Sequence, residues 1–260
     1  MTYKDARRLA NEDGSMPFEQ VNGLRLFYHE QGAPSAPTIV FVHGTQGNAS
    51  LYANLINDLS DRYHCLALNH RGRSPSESPD DAIYSIEQFA DDQAAFIAAH
   101  DLRGITMMGW SLGVRTVLAY LHRHGSARVS RAVLVGGPPS PNFGGQPLPD
   151  PDHDGPGREV WGETFRAITP ACWRGSQESR ATCDLESTLK EIDIPVGIFH
   201  GRHDPIAPLA AAEFMAQEIP NAELLVFEQS GHNPLSSEPE RFAAETVAFI
   251  ERCGAAQRES

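Results

Sequence analysis

The most regular feature of the chain is an alternation between short apolar runs and longer segments with helical spacing. A run such as 38–44 is short and continuously apolar, which is typical of a strand buried on both faces. A segment such as 48–61 repeats its apolar residues every three or four positions, which predicts a helix with one buried face. Strands and helices that alternate in this way build a parallel sheet covered by helices on both faces. The predicted strands are 38–44, 63–69, 104–110, 131–137, 195–201 and 222–229, and the predicted helices are 48–61, 85–100, 111–125, 208–218 and 239–253.

Two departures from this alternation complete the predicted architecture. Asn22-Gly23 lies between two strand-like stretches and predicts a hairpin, so that the sheet has eight strands, most of them parallel. The alternation stops over residues 138–190, which begin with prolines, glycines and aspartates and then contain helix-like stretches at 158–169 and 177–191. We interpret 138–190 as a cap inserted over the sheet. The core then comprises 17–137 and 191–253, and flexible tails are expected at 1–16 and 254–260.

Composition and charge narrow the class of protein. The chain has 260 residues, enough for one large α/β domain, and a formal net charge of −13. Nucleic acids and anionic membranes select basic surfaces, so the expected partner is a small-molecule substrate. The sequence contains neither an apolar signal segment nor a run long enough to span a membrane, which favours a cytoplasmic protein. Its four cysteines are expected to be reduced thiols, and whether Cys172 and Cys183 pair stays open.

Four polar or glycine-rich stretches follow predicted strands, where the functional groups of a parallel sheet gather. They are "HGTQG" from residue 43, "GWSLG" from 109, "GRHDPIAP" from 201 and "SGHNP" from 230. In "GWSLG", Ser111 lies between a strand and a helix, and the glycines on either side permit a turn too tight for a Cβ. Taken alone, this pattern fits an ordinary turn serine equally well.

A serine becomes a nucleophile only when a base removes its proton, and the base is usually a histidine oriented by a carboxylate. His232 and Asp204 both follow predicted strands and complete the order Ser, Asp, His along the chain. Asp204 also fits a capping or turn residue before Pro205. The end of the preceding strand, 131–137, offers no carboxylate in its place. The sequence therefore favours Ser111, His232 and Asp204 as catalytic residues.

Over residues 18 to 253 the chain resembles the α/β-hydrolase family of the compact, single-cap kind. The resemblance is carried by His43-Gly44, Arg71-Gly72, "GWSLG", Asp204 with Pro208, and Gly231-His232. It implies that Ser111 is the nucleophile, His232 the base and Asp204 the orienting acid. It also implies an oxyanion hole formed by the backbone N–H groups of Thr45 and Leu112, and no cofactor. This chain departs from the family pattern at three positions: Val114 and Ser74 stand in place of glycines, and Asn69 stands in place of an acid. Val114 needs more room beside the tight turn that carries Ser111, which we call the elbow.

Several other residues have both a structural and a functional interpretation. His43 is expected to brace the oxyanion loop, and His200, His203 and Asp204 form no complete metal site, so no metal is expected. The aromatic residues of the cap region either line a substrate pocket or pack the cap onto the sheet, and Trp110 either touches substrate or lies beneath the elbow. The candidates for the pocket are Trp110, Phe143, Trp161, Phe165 and Trp173.

These features predict a serine hydrolase that cleaves a carboxylic ester, lactone or thioester through an acyl-enzyme. Other reactions of the same family shell stay open: perhydrolase or haloperoxidase-like activity, C–C bond cleavage, lyase and cyclase reactions, and a weaker aminopeptidase alternative. A ligand-binding receptor that retains the three residues is an alternative of another class. The sequence leaves the acyl group and the oligomeric state open.

Overall fold

The computed structural model of the protein describes residues 17–45, 47–144 and 168–259. Within these ranges eight strands form one sheet in the order β1-β2-β4-β3-β5-β6-β7-β8. The pairs β1–β2 and β2–β4 are antiparallel, and every other pair is parallel. The strands are β1 Phe18–Val21, β2 Leu24–Gln31, β3 Thr38–Val42, β4 His64–Leu68, β5 Ile105–Trp110, β6 Val129–Val135, β7 Val196–Gly201 and β8 Ala222–Phe227. The predicted α/β class and the mostly parallel sheet are confirmed.

Helices cover both faces of this sheet. In the described ranges they are α1 Ala53–Leu59, α2 Ile86–Ala99, α3 Leu112–His124, α4 Pro170–Thr182, α5 Leu209–Glu218, α6 Pro234–Ser237 and α7 Pro239–Glu259. Two 3-10 helices, Ala49–Tyr52 and Glu186–Glu191, accompany them. None of the helices found in these ranges is both long and apolar enough to cross a bilayer.

The continuously apolar strands are explained by two hydrophobic layers. Alternate side chains of β3 point to opposite faces: Val40 and Val42 pack with α2 and α3, whereas Ile39 and Phe41 pack with α1 and α7. Because all four side chains are fully buried, no position of the strand remains for a polar residue. The two layers hold the strands rigidly, and the loops at their carboxyl ends therefore rest on a fixed base.

Some predicted boundaries were wrong, for local reasons. The helix predicted at 177–191 begins earlier, as α4, because Thr169 caps it by accepting a hydrogen bond from Cys172 N at 3.3 Å and Pro170 opens its first turn. It stops at Thr182, and the Asp184 side chain starts the following 3-10 helix by accepting from Glu186 N. The tail predicted at 254–260 is helical through Glu259, because one glycine followed by good helix formers does not end a helix.

Other predictions fall outside the described residues, namely the N-terminal tail and most of the helix at 158–169. The open question about the cysteines has an answer: Cys65, Cys172, Cys183 and Cys253 are all buried free thiols.

Candidate active site

Ser111 occupies a sharp corner between β5 and α3. Its backbone has φ 58° and ψ −116°, a strained conformation for a residue with a side chain. A Cβ on Gly113 would lie 2.1 Å from the carbonyl oxygen of Val42, and one on Gly109 would lie 2.3 Å from the carbonyl oxygen of Gly113. Both positions therefore require glycine, as the sequence pattern predicted. The corner lifts the Ser111 hydroxyl out of the sheet at the start of a helix.

Val114, which replaces a glycine of the family pattern, finds its room on the opposite side of the turn. The residue facing it is Gly137, where an added Cβ would come within 2.7 Å of Val114 Cγ2 and 2.3 Å of the Ser111 carbonyl oxygen. The Ser111 carbonyl oxygen alone requires glycine at 137, and the same missing side chain leaves the space in which Val114 packs.

The structure brings His232 and Asp204 to Ser111. His232 Nε2 lies 3.0 Å from Ser111 Oγ, and His232 Nδ1 lies 2.8 Å from Asp204 Oδ2. A carboxylate only accepts hydrogen bonds, so Nδ1 carries the proton and Nε2 is free to accept from the hydroxyl. A histidine held in this tautomer can remove a proton from the serine as the serine attacks a carbonyl carbon.

Asp204 is itself fixed by the loop after β7. Its Oδ1 accepts hydrogen bonds from the backbone N–H groups of Ile206 and Ala207 at 2.8 and 2.9 Å. His200 Nε2 lies 2.8 Å from the Ala207 carbonyl oxygen, and burial lowers the pKa of this imidazole, which keeps it neutral. The turn role of Asp204 and its bond to His232 therefore coexist, because each uses a different carboxylate oxygen.

Two of the predicted pocket residues, Trp110 and Trp173, are packed inside the protein. Trp110 is buried, and its Nε1 donates to the His232 carbonyl oxygen at 2.9 Å, so that it supports the histidine loop from beneath. Trp173 is buried in the hydrophobic core and does not line the cleft at Ser111. Of the two interpretations left open for each residue, these positions favour the packing one, and neither residue is among the described residues that line the cleft. Phe143 does line the cleft. Trp161 and Phe165 lie outside the described residues.

The loop after β3 lies directly against Ser111. A Cβ on Gly44 would meet Ser111 Cβ at 2.8 Å, which explains the glycine at this position. Within the described part of the chain, the backbone N–H groups of Thr45 and Leu112 donate no hydrogen bond, and Leu112 is the first residue of α3. Free N–H groups at a helix start and in an adjacent loop are suited to hold a developing oxyanion.

Two buried histidines hold the base of this loop. His43 Nδ1 donates to the Gly44 carbonyl oxygen at 2.9 Å, and His43 Nε2 accepts from the backbone N–H of His70 at 3.0 Å. Burial, together with the charge of Arg73, lowers the pKa of His43 well below its usual value and that of His70 to about 3. Both rings are neutral, as a purely structural role of His43 requires.

Sequence reasoning missed four polar residues near the site. Arg73 is buried and donates through Nη2 to the Thr45 carbonyl oxygen at 2.7 Å and through Nη1 to Cys172 Sγ at 2.6 Å. The others are Arg115, Gln177 and Arg180, which line a cleft of about 250 Å³ that also contains Ser111 and His232. For Arg115 there was a signal, because it lies one helical turn after Ser111 and on the same face of α3.

Comparison with known proteins places the chain in a family. The model of the alpha/beta hydrolase fold family matches residues 37–158 and 142–239. The chain therefore belongs to the alpha/beta hydrolase fold family, and the resemblance noted in the sequence is confirmed.

Individual relatives are distant but cover most of the chain. A non-heme chloroperoxidase from Streptomyces lividans is 29% identical over 88% of this chain and 97% of its own length. A bifunctional esterase/perhydrolase from Acinetobacter calcoaceticus is 24% identical over 88% of this chain and 97% of its own. Among solved structures, an esterase from Exiguobacterium antarcticum superposes with a TM-score of 0.81 at 24% identity, covering 91% of this chain and 99% of that one. This last similarity bears on the fold alone.

Proposed function

We propose that the protein is a serine hydrolase that cleaves a carboxylic ester, lactone or thioester through an acyl-enzyme. The observation that carries the proposal is the continuous chain of contacts from Asp204 through His232 to Ser111, with distances of 2.8 and 3.0 Å. Esterase activity among the named relatives is consistent with it.

In the first half of the reaction, Ser111 Oγ attacks the carbonyl carbon while His232 Nε2 accepts its proton. Asp204 stabilises the resulting imidazolium, and the N–H groups of Thr45 and Leu112 hold the oxyanion. His232 then gives the proton to the departing alcohol or thiol, and the acyl group remains on Ser111. The strained backbone of Ser111 keeps its hydroxyl in place for the attack.

In the second half, a water molecule gives a proton to His232 and attacks the acyl carbon, which releases the acid and restores Ser111. Hydrogen peroxide can replace water at this step, and the product is then a peroxy acid. The relatives named as chloroperoxidase and esterase/perhydrolase favour this perhydrolysis as a second candidate function. Both reactions share the same acyl-enzyme.

The test is the hydrolysis of p-nitrophenyl butyrate by the wild-type protein and by Ser111→Ala. The variant should lose at least about 10³-fold in kcat, because no other group can form the acyl-enzyme. Circular dichroism establishes that the variant is folded, and peracid formation with added hydrogen peroxide distinguishes the second function. Equal turnover by the two proteins would disprove the proposal.

A further inference from the structure

One wall of the cleft at Ser111 is positively charged. Arg115 from α3 and Arg180 from α4 line it together with Gln177, whereas the protein as a whole carries a formal net charge of −13. The two arginines come from different elements, 65 residues apart in sequence, so that only the tertiary fold brings them to one place.

Arg115 is held by backbone carbonyl groups and not by an acid. It is 4% exposed, and it donates to the carbonyl oxygens of Arg180 at 2.6 Å, Ser140 at 3.1 Å and Pro138 at 3.2 Å. These contacts fix its position, and Asp184, whose negative charge acts on Arg115, forms no ion pair with it. Burial and the nearby charge of Arg180 lower the pKa of Arg115 to about 10, so it is cationic at neutral pH.

The guanidinium of Arg180 keeps N–H groups that have no hydrogen-bond partner among the described residues. Its Nη1 donates to Gln177 Oε1 at 2.6 Å, which orients the guanidinium within the cleft wall. Neither Arg180 nor Arg115 forms an ion pair with a carboxylate among the described residues. The neighbouring acid Glu186 is engaged by Ser140 and Asn142.

A buried and a half-buried guanidinium side by side, which form no ion pair with an acid among the described residues, are a site that an anion would stabilise. A guanidinium binds a carboxylate through two parallel hydrogen bonds, and the apolar walls of a narrow cleft strengthen that attraction. The rest of the cleft contains apolar side chains such as Phe143, which suit a hydrocarbon stem. The lining of the cleft thus includes Ser111 and His232, apolar side chains and two guanidinium groups.

We propose that the substrate is an ester carrying a second, free carboxylate group, which Arg180 binds beside Arg115. This inference rests on the proposed esterase function and names its substrate class. Arg180 is the binding residue, and Arg115 supplies a fixed positive charge behind it. Thr45, Leu112 and His232 serve the ester carbonyl.

The first experiment compares matched substrates. Mono-p-nitrophenyl adipate carries the charge on the acyl side and is compared with p-nitrophenyl hexanoate. 4-Acetoxybenzoate carries it on the alcohol side and is compared with its methyl ester. The wild-type protein should prefer the charged member of at least one pair by about tenfold in kcat/KM. Arg180→Met should remove most of this preference. Arg180→Lys should retain part of it, because the lysine ammonium keeps the positive charge but lacks the paired N–H donors of the guanidinium.

Arg174→Met is the matched control, because Arg174 lies on the same helix and is exposed. Its substrate preference should equal that of the wild type. The proposal is overturned if the wild type prefers neither charged ester, or if Arg180→Met and Arg174→Met show the same preference.

A binding measurement separates this inference from the proposed function. Free adipate should raise the Tm of the Ser111→Ala protein, and the rise should disappear in Ser111→Ala/Arg180→Met. Adipate binding without ester hydrolysis by the wild type would contradict the esterase function and support the anion site. Ester hydrolysis without adipate binding or charge preference would support the esterase function and overturn the anion site.

Discussion

The floor of the candidate site and its wall are built in different ways. The floor consists of the strand-end corners that carry Ser111, Asp204 and His232, and backbone geometry determines it: tight turns, glycines in close contact and N–H groups in fixed places. The wall consists of α4 and the side chains that reach it, and long-range side-chain contacts to backbone carbonyls determine it. Under the proposed function, the comparison assigns the reaction chemistry to features of local sequence and the substrate choice to contacts between distant residues.

The largest expected effect concerns the tolerance of the floor to a single added carbon. Gly113→Ala places a Cβ 2.1 Å from the Val42 carbonyl oxygen, which neither strand nor helix can relieve. We expect the variant not to fold, or to lose about 4 kcal/mol or more of unfolding free energy in urea. The matched change at the start of the cap is Gly144→Ala, where a Cβ meets no atom of the described residues within 4 Å. If the two variants were equally stable, the contrast between floor and wall would be wrong.

The next effect uses acid to weaken the floor through its buried histidines. In the folded protein the pKa of His70 is about 3 and that of His43 lies well below its usual value, whereas in the unfolded chain both imidazoles bind a proton near pH 6.5. The unfolded state therefore gains protons as the pH falls below 6.5, and the folded state loses stability. The loss at pH 5.5 is about 1.4 kcal/mol per histidine, measured as the difference in urea unfolding free energy from pH 7.5.

His70→Gln tests the origin of this loss. The substitution removes the contribution of His70, so about 1.4 kcal/mol of the decrease between pH 7.5 and 5.5 should disappear. His29, His43 and His200, whose pKa values burial also lowers, keep theirs. The arginines of the wall keep their charge throughout this range and contribute nothing to it. The same pH dependence in wild type and variant would show that the buried histidines are not responsible.

The smallest effect concerns the link between floor and wall. Arg73 binds the Thr45 carbonyl oxygen on one side and Cys172 of α4 on the other, and we regard it as a positioning residue. Arg73→Met should lower kcat for p-nitrophenyl butyrate about tenfold with little change in KM, because the oxyanion loop loses its support. Inhibition by an alkyl boronic acid, which mimics the tetrahedral intermediate, should weaken in parallel. A loss of active enzyme alone would leave the boronate inhibition constant unchanged.

Most of the floor could be predicted from the sequence because its signals are local. A glycine pair around Ser111, a strand before it and a helix after it define the corner, and the strand-end rule connects Asp204 and His232 to it. The contact between Val114 and Gly137 could not be predicted, since these residues lie on different elements and meet only in three dimensions.

The wall could not be predicted from the sequence either, because its contacts also join residues that are far apart in the chain. The helical periodicity of 111–125 does not show that Arg115 binds carbonyl groups of residues 138, 140 and 180. Aromatic residues were the more obvious pocket candidates, yet Trp110 and Trp173 are buried in packing roles. A large apolar side chain fits a core and a pocket equally well, so its type alone does not distinguish them.

The central claim is that Ser111 forms a covalent bond with an acyl or acyl-like group while His232 removes its proton. The most direct measurement is intact-protein mass spectrometry after treatment with a fluorophosphonate, followed by peptide mapping. The account predicts a single adduct on Ser111 in the wild type, none in Ser111→Ala and a far slower reaction in His232→Ala. An adduct on another residue, or equal labelling of the wild type and Ser111→Ala, would contradict it.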